Sequence, residues 1–207
     1  DIHYKGGCLL NENLGWSATM FAYSSRPPDP DLVGERWRDL WMQRLENEPL
    51  LAIQWLEHPH RDAYWKHGSV CEDIGAIEAA VLAVGGWNDA YTNTVPRLVG
   101  SIKAPVRGII GPWAHKYPHF AVPEPRIGFL QEMLRWWDQW LKGIDTGVAD
   151  DPAHRTYIME PGRPGAAVAH VFGRWVSDNH WPSDIHALQR LHLNANGMLG
   201  DVKGSAG

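Results

Sequence analysis

Two apolar segments that each end in a glycine turn constrain the fold of this chain more than any other feature. The first, residues 79–84, passes through two glycines into "WND", and the second, residues 105–110, passes through "GPW" to His115. Both segments are typical of buried strands, and residues 92–103 between them can form a helix. A strand, a helix and a strand in this order predict two parallel strands joined by a right-handed crossover.

Each turn presents one side chain capable of acid–base chemistry, Asp89 after the first strand and His115 after the second. Ligands of open parallel sheets bind at the carboxyl ends of the strands, so we expect the two side chains to lie together. A carboxylate that accepts a hydrogen bond from one ring nitrogen fixes the imidazole and leaves the other nitrogen to take a proton from a nucleophile. The structural alternatives are a turn aspartate that caps the next helix and a loop histidine bonded to backbone.

The two glycine turns present an acid and a histidine but no nucleophile. In α/β-hydrolases the chain order is nucleophile, acid, histidine, so the nucleophile should precede Asp89. The serines before that position are Ser17, Ser24, Ser25 and Ser69. None of them lies in a G-x-S-x-G turn between a strand and a helix, and neither cysteine does. We expect the chain to be a fragment of a larger protein.

The segments before the first strand favour helices. Residues 1–25 read as loop with short extended pieces, and "RPPDP" then breaks the chain. Apolar residues recur at helical spacing over 32–45, and residues 50–56 predict a second short helix. The Trp-rich stretch 26–75 therefore resembles a helical insertion rather than part of a sheet.

After the second strand, the strongest helix signal covers 126–142 and ends at Gly143, a typical helix C-terminal residue. From about residue 150 the stretches "RTYIME", "HVFGRWVS" and "LQRLHLNANGMLG" predict short strands of a second domain.

Composition excludes several classes of function. The 207 residues are 44% hydrophobic and 21% charged, and the net charge is −5, which is ordinary globular composition. No basic stripe favours nucleic acid, and no apolar run predicts a membrane span or a signal peptide, so we expect a cytoplasmic protein. Cys8 and Cys71 lack metal-ligand spacing; a disulfide is left open, and two buried thiols fit better. Self-association into a homo-oligomer is left open.

Three motifs together resemble the X-Pro dipeptidyl-peptidase and cocaine-esterase-like family of α/β-hydrolases: "GGWNDAY", "GIIGPWAH" and "LRWWDQWLKGIDTG". The resemblance implies that Asp89 is the acid and His115 the histidine of a catalytic triad. It implies a nucleophilic serine, and a neighbouring oxyanion-hole tyrosine, before Asp1. It further implies a helical cap at 1–75, the C-terminal part of the α/β-hydrolase sheet at 76–148, and the start of a jelly-roll-like β-sandwich at 149–207.

Tryptophans are the candidate substrate-pocket residues. Trp16 and Trp65 of the expected cap can line an acyl pocket, while Trp87 and Trp113 flank the two turns. Six others at helical spacing fit core packing better: Trp37, Trp41, Trp55, Trp136, Trp137 and Trp140. Asp138 is expected to be a structural hydrogen-bonding partner.

His115 and His119 have an H-x3-H spacing. Two prolines argue against a continuous helix there, and no third ligand is near in sequence, so no metal and no cofactor are expected. His58 and His60 are expected in an exposed loop.

The sequence therefore predicts a serine hydrolase of the acyl-esterase type, which acts on a small ester through an acyl-enzyme. One alternative is an X-Pro dipeptidyl-peptidase or an α-amino-ester hydrolase acting on a short peptide or an amine-bearing ester. Such an enzyme needs carboxylates for a free amine, and the cap offers Glu12, Glu46, Glu48 and Glu57. Another alternative is an inactive fragment or a binding scaffold.

Overall fold

The computed structural model of the chain describes residues 4–5, 8–165, 167–185, 187–195, 197–202 and 204. The described chain forms two compact units, Asp1–Asp73 and Ile74–Gly207. In the described residues no helix is long and apolar enough to cross a lipid bilayer.

The first unit is mainly helical. Its elements are β1 (Tyr4–Lys5), β2 (Cys8–Leu9), α1 (Glu12–Ser24), α2 (Pro30–Val33), α3 (Trp37–Asn47), α4 (Leu51–Glu57) and α5 (Ala63–His67). The strands β1 and β2 pair antiparallel. Short 3₁₀ turns at Gly34–Arg36 and Val70–Glu72 complete the unit.

Helix α1 corrects the prediction of a loop over residues 1–25. Its buried residues are polar: Asn13 is 3% exposed and Ser17 is 1% exposed. The hydroxyl of Ser17 accepts a hydrogen bond of 2.7 Å from the backbone N–H of Ala52 in α4. Because the helix packs through small polar side chains, the apolar periodicity that predicts a helix is absent from its sequence.

The other helices of this unit follow the prediction more closely. The predicted helix 32–45 is divided, because Gly34 adopts a φ of 62° between α2 and α3. The predicted short helix at 50–56 is confirmed as α4. Of the tryptophans expected in its core, Trp55 is buried, whereas Trp37 and Trp41 are half-buried and stack with ring centroids 6.2 Å apart.

The second unit is built on a four-stranded sheet in the order β3-β4-β5-β6. Its elements are β3 (Val81–Gly86), α6 (Thr94–Val99), β4 (Val106–Gly111), α7 (Phe129–Lys142), β5 (His154–Met159), β6 (Gly173–Asp178), β7 (His192–Leu193) and β8 (Leu199–Gly200). Strands β3, β4 and β5 are parallel and β6 is antiparallel to β5. The predicted βαβ unit is thereby confirmed, with a shorter crossover helix than 92–103.

The sheet buries apolar side chains on both faces. On one face Ala83 and Ile110 pack with Val95 and Val99 of α6. On the other face Ile109 packs with Trp113 and Ala121, which belong to the segment after β4. Because both faces of the sheet are packed, the carboxyl ends of the paired strands β3 and β4 are held side by side.

Strands β5 and β6 correct the prediction that "RTYIME" and "HVFGRWVS" belong to a separate β domain. Residues Gly108–Ile110 of β4 pair with His154–Thr156 of β5, so both strands extend the α/β sheet. The prediction of strands was right and their assignment was wrong, because a strand's apolar pattern does not specify the strand it pairs with. The small β7–β8 ribbon follows them.

Helix α7 begins at Phe129, three residues after the predicted start, and Gly143 ends it in the left-handed conformation with φ 69°. Trp136 is buried, as predicted, but Trp137 is exposed, as are Leu130, Leu134 and Leu141 on the same side of the helix. Asp138 accepts a 2.6 Å hydrogen bond from the Lys142 ammonium group, which confirms its structural role.

Both cysteines are exposed and free, so the prediction of buried thiols was wrong. The Cys71 sulfur lies 3.1 Å from the Ser69 hydroxyl and accepts a hydrogen bond from the Arg61 guanidinium at 3.3 Å. These two contacts, that of Ser69 first, lower the pKa of the Cys71 thiol.

Candidate active site

The turn after β3 presents Asp89. The Asp89 N–H donates to the Gly86 carbonyl at 3.0 Å and closes the turn. The Asp89 Oδ1 accepts a hydrogen bond from the backbone N–H of Tyr91 at 3.0 Å. One carboxylate oxygen thus has the structural role of a turn aspartate, and Oδ2 is left for another partner.

The turn after β4 presents His115. Trp113 is buried beneath this turn, and its indole N–H donates to the Pro125 carbonyl at 2.8 Å. The Ala114 N–H donates to the Val122 carbonyl at 2.8 Å. The two residues before the histidine are therefore both held, Trp113 by its indole N–H and Ala114 by its backbone N–H.

The two turns are in direct contact. The N–H groups of Trp87 and Asn88 donate to the carbonyls of Gly111 and Trp113, at 2.9 and 3.0 Å. A side chain at Gly86 would overlap the carbonyl group of Trp113. The glycine at the end of β3 is required because the second turn passes directly against it.

This contact brings the two predicted residues together. The His115 Nδ1 lies 2.8 Å from the Asp89 Oδ2, although the residues are 26 positions apart in sequence. The imidazole side chain is 77% exposed and the carboxylate is 13% exposed. The Tyr91 ring and the imidazole meet edge to face, with centroids 5.6 Å apart and planes at 71°. Because the contact uses Nδ1, Nε2 is the ring nitrogen available to a reacting group.

A cavity of about 450 Å³ adjoins this pair. Its lining residues are Val84, Gly85, Gly86, Asp89, Trp113, Ala114, His115, Lys116, Tyr117, Pro118, Phe120 and Phe129. Aromatic rings form much of the wall: the Tyr117 ring stacks on Phe129 at 6.1 Å and meets Phe120 edge to face at 5.9 Å. The described lining contains neither a serine nor a cysteine, so it offers no hydroxyl or thiol nucleophile of the predicted kind.

Of the four tryptophans predicted to line a substrate pocket, Trp113 is in this lining. Trp16, Trp65 and Trp87 are not among its described residues. The indole N–H of Trp87 donates to the Tyr157 carbonyl of β5 at 2.7 Å, and that of Trp65 donates to the His58 carbonyl at 2.6 Å. Trp16 is exposed on α1.

Sequence reasoning missed Tyr117, Phe120 and Phe129 as wall residues. For Tyr117 and Phe120 the signal is their position, since an aromatic-rich loop that directly follows a histidine at a strand end lies beside it; Phe129 begins α7 and has no such local signal. It also missed Asn88, whose side chain contacts the second turn.

The two histidines of the H-x3-H spacing have different surroundings. The described residues contain no group of three His, Cys, Asp or Glu side chains arranged to hold a metal ion. The His119 ring instead packs among aromatic rings, 4.6 Å from Phe120 and 6.2 Å from Phe129 between centroids.

Comparison with known proteins identifies relatives of this chain. The family model described as X-Pro dipeptidyl-peptidase (S15 family) matches residues 1–117. Cocaine esterase from Rhodococcus sp. is 24% identical over 178 residues, which is 77% of this chain and 29% of the esterase. The chain thus spans less than a third of the length of that relative.

Solved structures show the same fold. A CocE/NonD family hydrolase from Staphylococcus aureus aligns with a TM-score of 0.69 at 17% identity, covering 99% of this chain and 32% of that chain. An aminopeptidase from a marine sediment Thaumarchaeota archaeon aligns with a TM-score of 0.52 at 19% identity, covering 79% of this chain and 28% of that chain.

Proposed function

Because this chain belongs to the X-Pro dipeptidyl-peptidase (S15) family of hydrolases, we propose that it carries the acid and the histidine of a serine hydrolase. Asp89 and His115 are two members of the triad, and the serine is supplied by polypeptide outside these 207 residues. The observation that carries the proposal is the 2.8 Å contact between His115 Nδ1 and Asp89 Oδ2 at the ends of adjacent parallel strands.

In the proposed reaction, His115 Nε2 takes the proton of the serine hydroxyl as the serine oxygen attacks the ester carbonyl. The protonated imidazole then gives that proton to the leaving alcohol as its C–O bond breaks. Water attacks the acyl-enzyme by the same sequence and regenerates the serine. Asp89 stabilises the imidazolium at Nδ1, and the Tyr91 N–H holds the carboxylate in place. The steps need no cofactor.

Exposure and burial suit these roles. The carboxylate is largely shielded from water, which strengthens its interaction with the imidazolium. The imidazole side chain is 77% exposed, so a serine and a substrate carbonyl have room to approach it.

The cavity supports an ester as the substrate rather than an amine-bearing peptide. Lys116 lines it, and Asp89, which is committed to His115, is the one carboxylate in its described lining. A substrate ammonium group would meet a cation and no free carboxylate there. The carboxylates considered for amine binding lie elsewhere in the described chain: Glu12 in α1, Glu46 in α3, Glu48 directly after α3 and Glu57 in α4.

A non-catalytic chain is the second candidate function, and the lining without serine or cysteine favours it for the 207 residues alone. The exposed apolar stripe of α7 also fits a chain that binds further polypeptide. We propose in addition that residues 1–75 form the helical cap region of the enzyme.

The test compares three substrates on the protein that contains this chain together with its serine. A 4-nitrophenyl ester of an apolar acid, the same ester with a free α-amine, and an X-Pro 4-nitroanilide are followed by absorbance. We expect turnover of the neutral ester, with an acyl adduct visible by intact-mass spectrometry. Preference for the X-Pro anilide would support the peptidase alternative, and turnover that yields no hydroxamate when hydroxylamine competes with water would contradict the acyl-enzyme.

A further inference from the structure

We infer that Asn88 is a positioning residue, which holds the Asp89 turn against the His115 turn through its side-chain amide; its importance for catalysis rests on the function proposed above. The Asn88 Nδ2 donates to the Pro112 carbonyl at 2.7 Å.

Three consecutive carbonyls of the second turn accept hydrogen bonds from the first. Gly111 accepts from the Trp87 N–H, Pro112 from the Asn88 side chain and Trp113 from the Asn88 N–H. The outer two bonds are made by the backbone and are available to any residue except proline at those positions. The central bond depends on the side chain at position 88.

Asn88 is therefore fixed at two points, its backbone N–H and its side chain, directly before the catalytic aspartate. Rotation of the Asn88 backbone, which would swing Asp89 away from His115, breaks both bonds. The exposed imidazole depends on this geometry, because its Nδ1 contacts the Asp89 Oδ2 and little protein surrounds the rest of the ring.

The chemistry of the amide suits the acceptor. An asparagine side chain offers two N–H donors, and a backbone carbonyl accepts them. An aspartate at position 88 would direct a carboxylate at the Pro112 carbonyl, and a leucine would offer no donor. Both substitutions remove the central bond while keeping similar side-chain volume.

The consequence for His115 is measurable without catalysis. A neutral imidazole that donates from Nδ1 to Asp89 carries its proton on Nδ1 and keeps Nε2 as the base. Loosening the turn weakens this bond and moves protons to Nε2. We expect Asn88→Leu to lower the ratio of the Nδ1–H to the Nε2–H form about 2- to 12-fold, the range that corresponds to one hydrogen bond.

The ratio is read from the ¹⁵N chemical shifts of the neutral His115 ring in the protein that contains this chain, with the signal assigned by its loss in His115→Ala. The matched control is Asn47→Leu, because the Asn47 Nδ2 also donates to a backbone carbonyl, that of Gln43, at 2.7 Å. We expect Asn47→Leu to leave the ratio unchanged and Asn88→Gln, which retains the donor, to restore part of it.

An unchanged ratio in a folded Asn88→Leu chain would overturn the inference, as would an equal change in Asn47→Leu. If Asn88→Leu does not fold, the same ratio is measured in Asn88→Ser. The serine side chain is too short to reach the Pro112 carbonyl and adds no apolar bulk. The outcome is independent of the proposed hydrolysis: failure of every ester assay would leave the tautomer result standing, and the reverse holds as well.

Discussion

Each of the two units contains a histidine–aspartate contact made through the ring Nδ1, and the surroundings of these two contacts differ. The His58 Nδ1 is 2.6 Å from the Asp62 Oδ2, and the His115 Nδ1 is 2.8 Å from the Asp89 Oδ2. The first pair is four residues apart in sequence and the second is 26 residues apart. The same two atoms meet in both cases, so the contact alone does not distinguish a catalytic pair from a structural one.

The contact in the first unit is local. Asp62 also caps α5, since its Oδ1 accepts the Tyr64 N–H at 3.0 Å, and the His58 ring stacks on the Tyr64 ring at 4.3 Å. The hydrogen bond from His58 is the main cause that lowers the pKa of Asp62. Because folding lowers that pKa, the contact stabilises the unit above the ordinary aspartate pKa of about 3.9 and ceases to do so as the pH falls through the lowered value.

The contact in the second unit is made by the tertiary fold. Two parallel strands deliver the side chains to one edge of the sheet, and a cavity adjoins them. The imidazole side chain is 77% exposed to solvent. The comparison shows that the hydrogen bond itself does not identify a candidate catalytic pair. What identifies it is the position of both side chains at the ends of adjacent parallel strands, beside a cavity.

Replacing each of the two aspartates by asparagine is expected to give the largest difference between the two units, in kcat. In the protein that also contains the serine, Asp89→Asn should lower kcat by about 10⁴-fold, the loss found where a triad aspartate is replaced in this way. Asp62→Asn is the matched control and should leave kcat unchanged. Ester hydrolysis under saturating substrate measures both, and equal losses in the two variants would remove the distinction between the pairs.

Replacing one glycine of each unit by alanine is expected to give a smaller difference, in the free energy of unfolding. In Gly86→Ala the new methyl group meets the Trp113 backbone, which we expect to cost about 1–3 kcal/mol of the free energy of unfolding. Gly68, at the end of α5, has open space around it, so Gly68→Ala should change the value by no more than about 0.5 kcal/mol. Urea unfolding of the 207-residue chain measures both effects; a Gly86→Ala chain as stable as Gly68→Ala would show that the turns are not closely packed.

The sequence was sufficient to predict the candidate pair because its determinants are local. An apolar run followed by glycine and a polar residue specifies a strand end, and two such motifs separated by a helix specify neighbouring parallel strands. Asp89 and His115 could therefore be placed together from the sequence alone. The same reasoning predicted α4 and the end of α7 at Gly143.

Other parts could not be predicted, for physical reasons that differ. Helix α1 buries Asn13 and Ser17, so its buried face carries no apolar signal. The pairing of β5 with β4 is a non-local choice that the pattern of "RTYIME" does not encode. The roles of Asn88 and Trp87 depend on which carbonyls their side chains reach in the folded turns.

The central claim, that His115 activates a serine held outside these 207 residues, is tested most directly by covalent labelling. The protein that contains this chain is treated with a fluorophosphonate, and the labelled residue is located by intact-mass and peptide mass spectrometry. We predict one labelled serine outside residues 1–207, with labelling abolished in His115→Ala and retained in His58→Ala. No labelled serine, a label on a serine within the chain, or labelling of His115→Ala at the unmodified rate would contradict the claim.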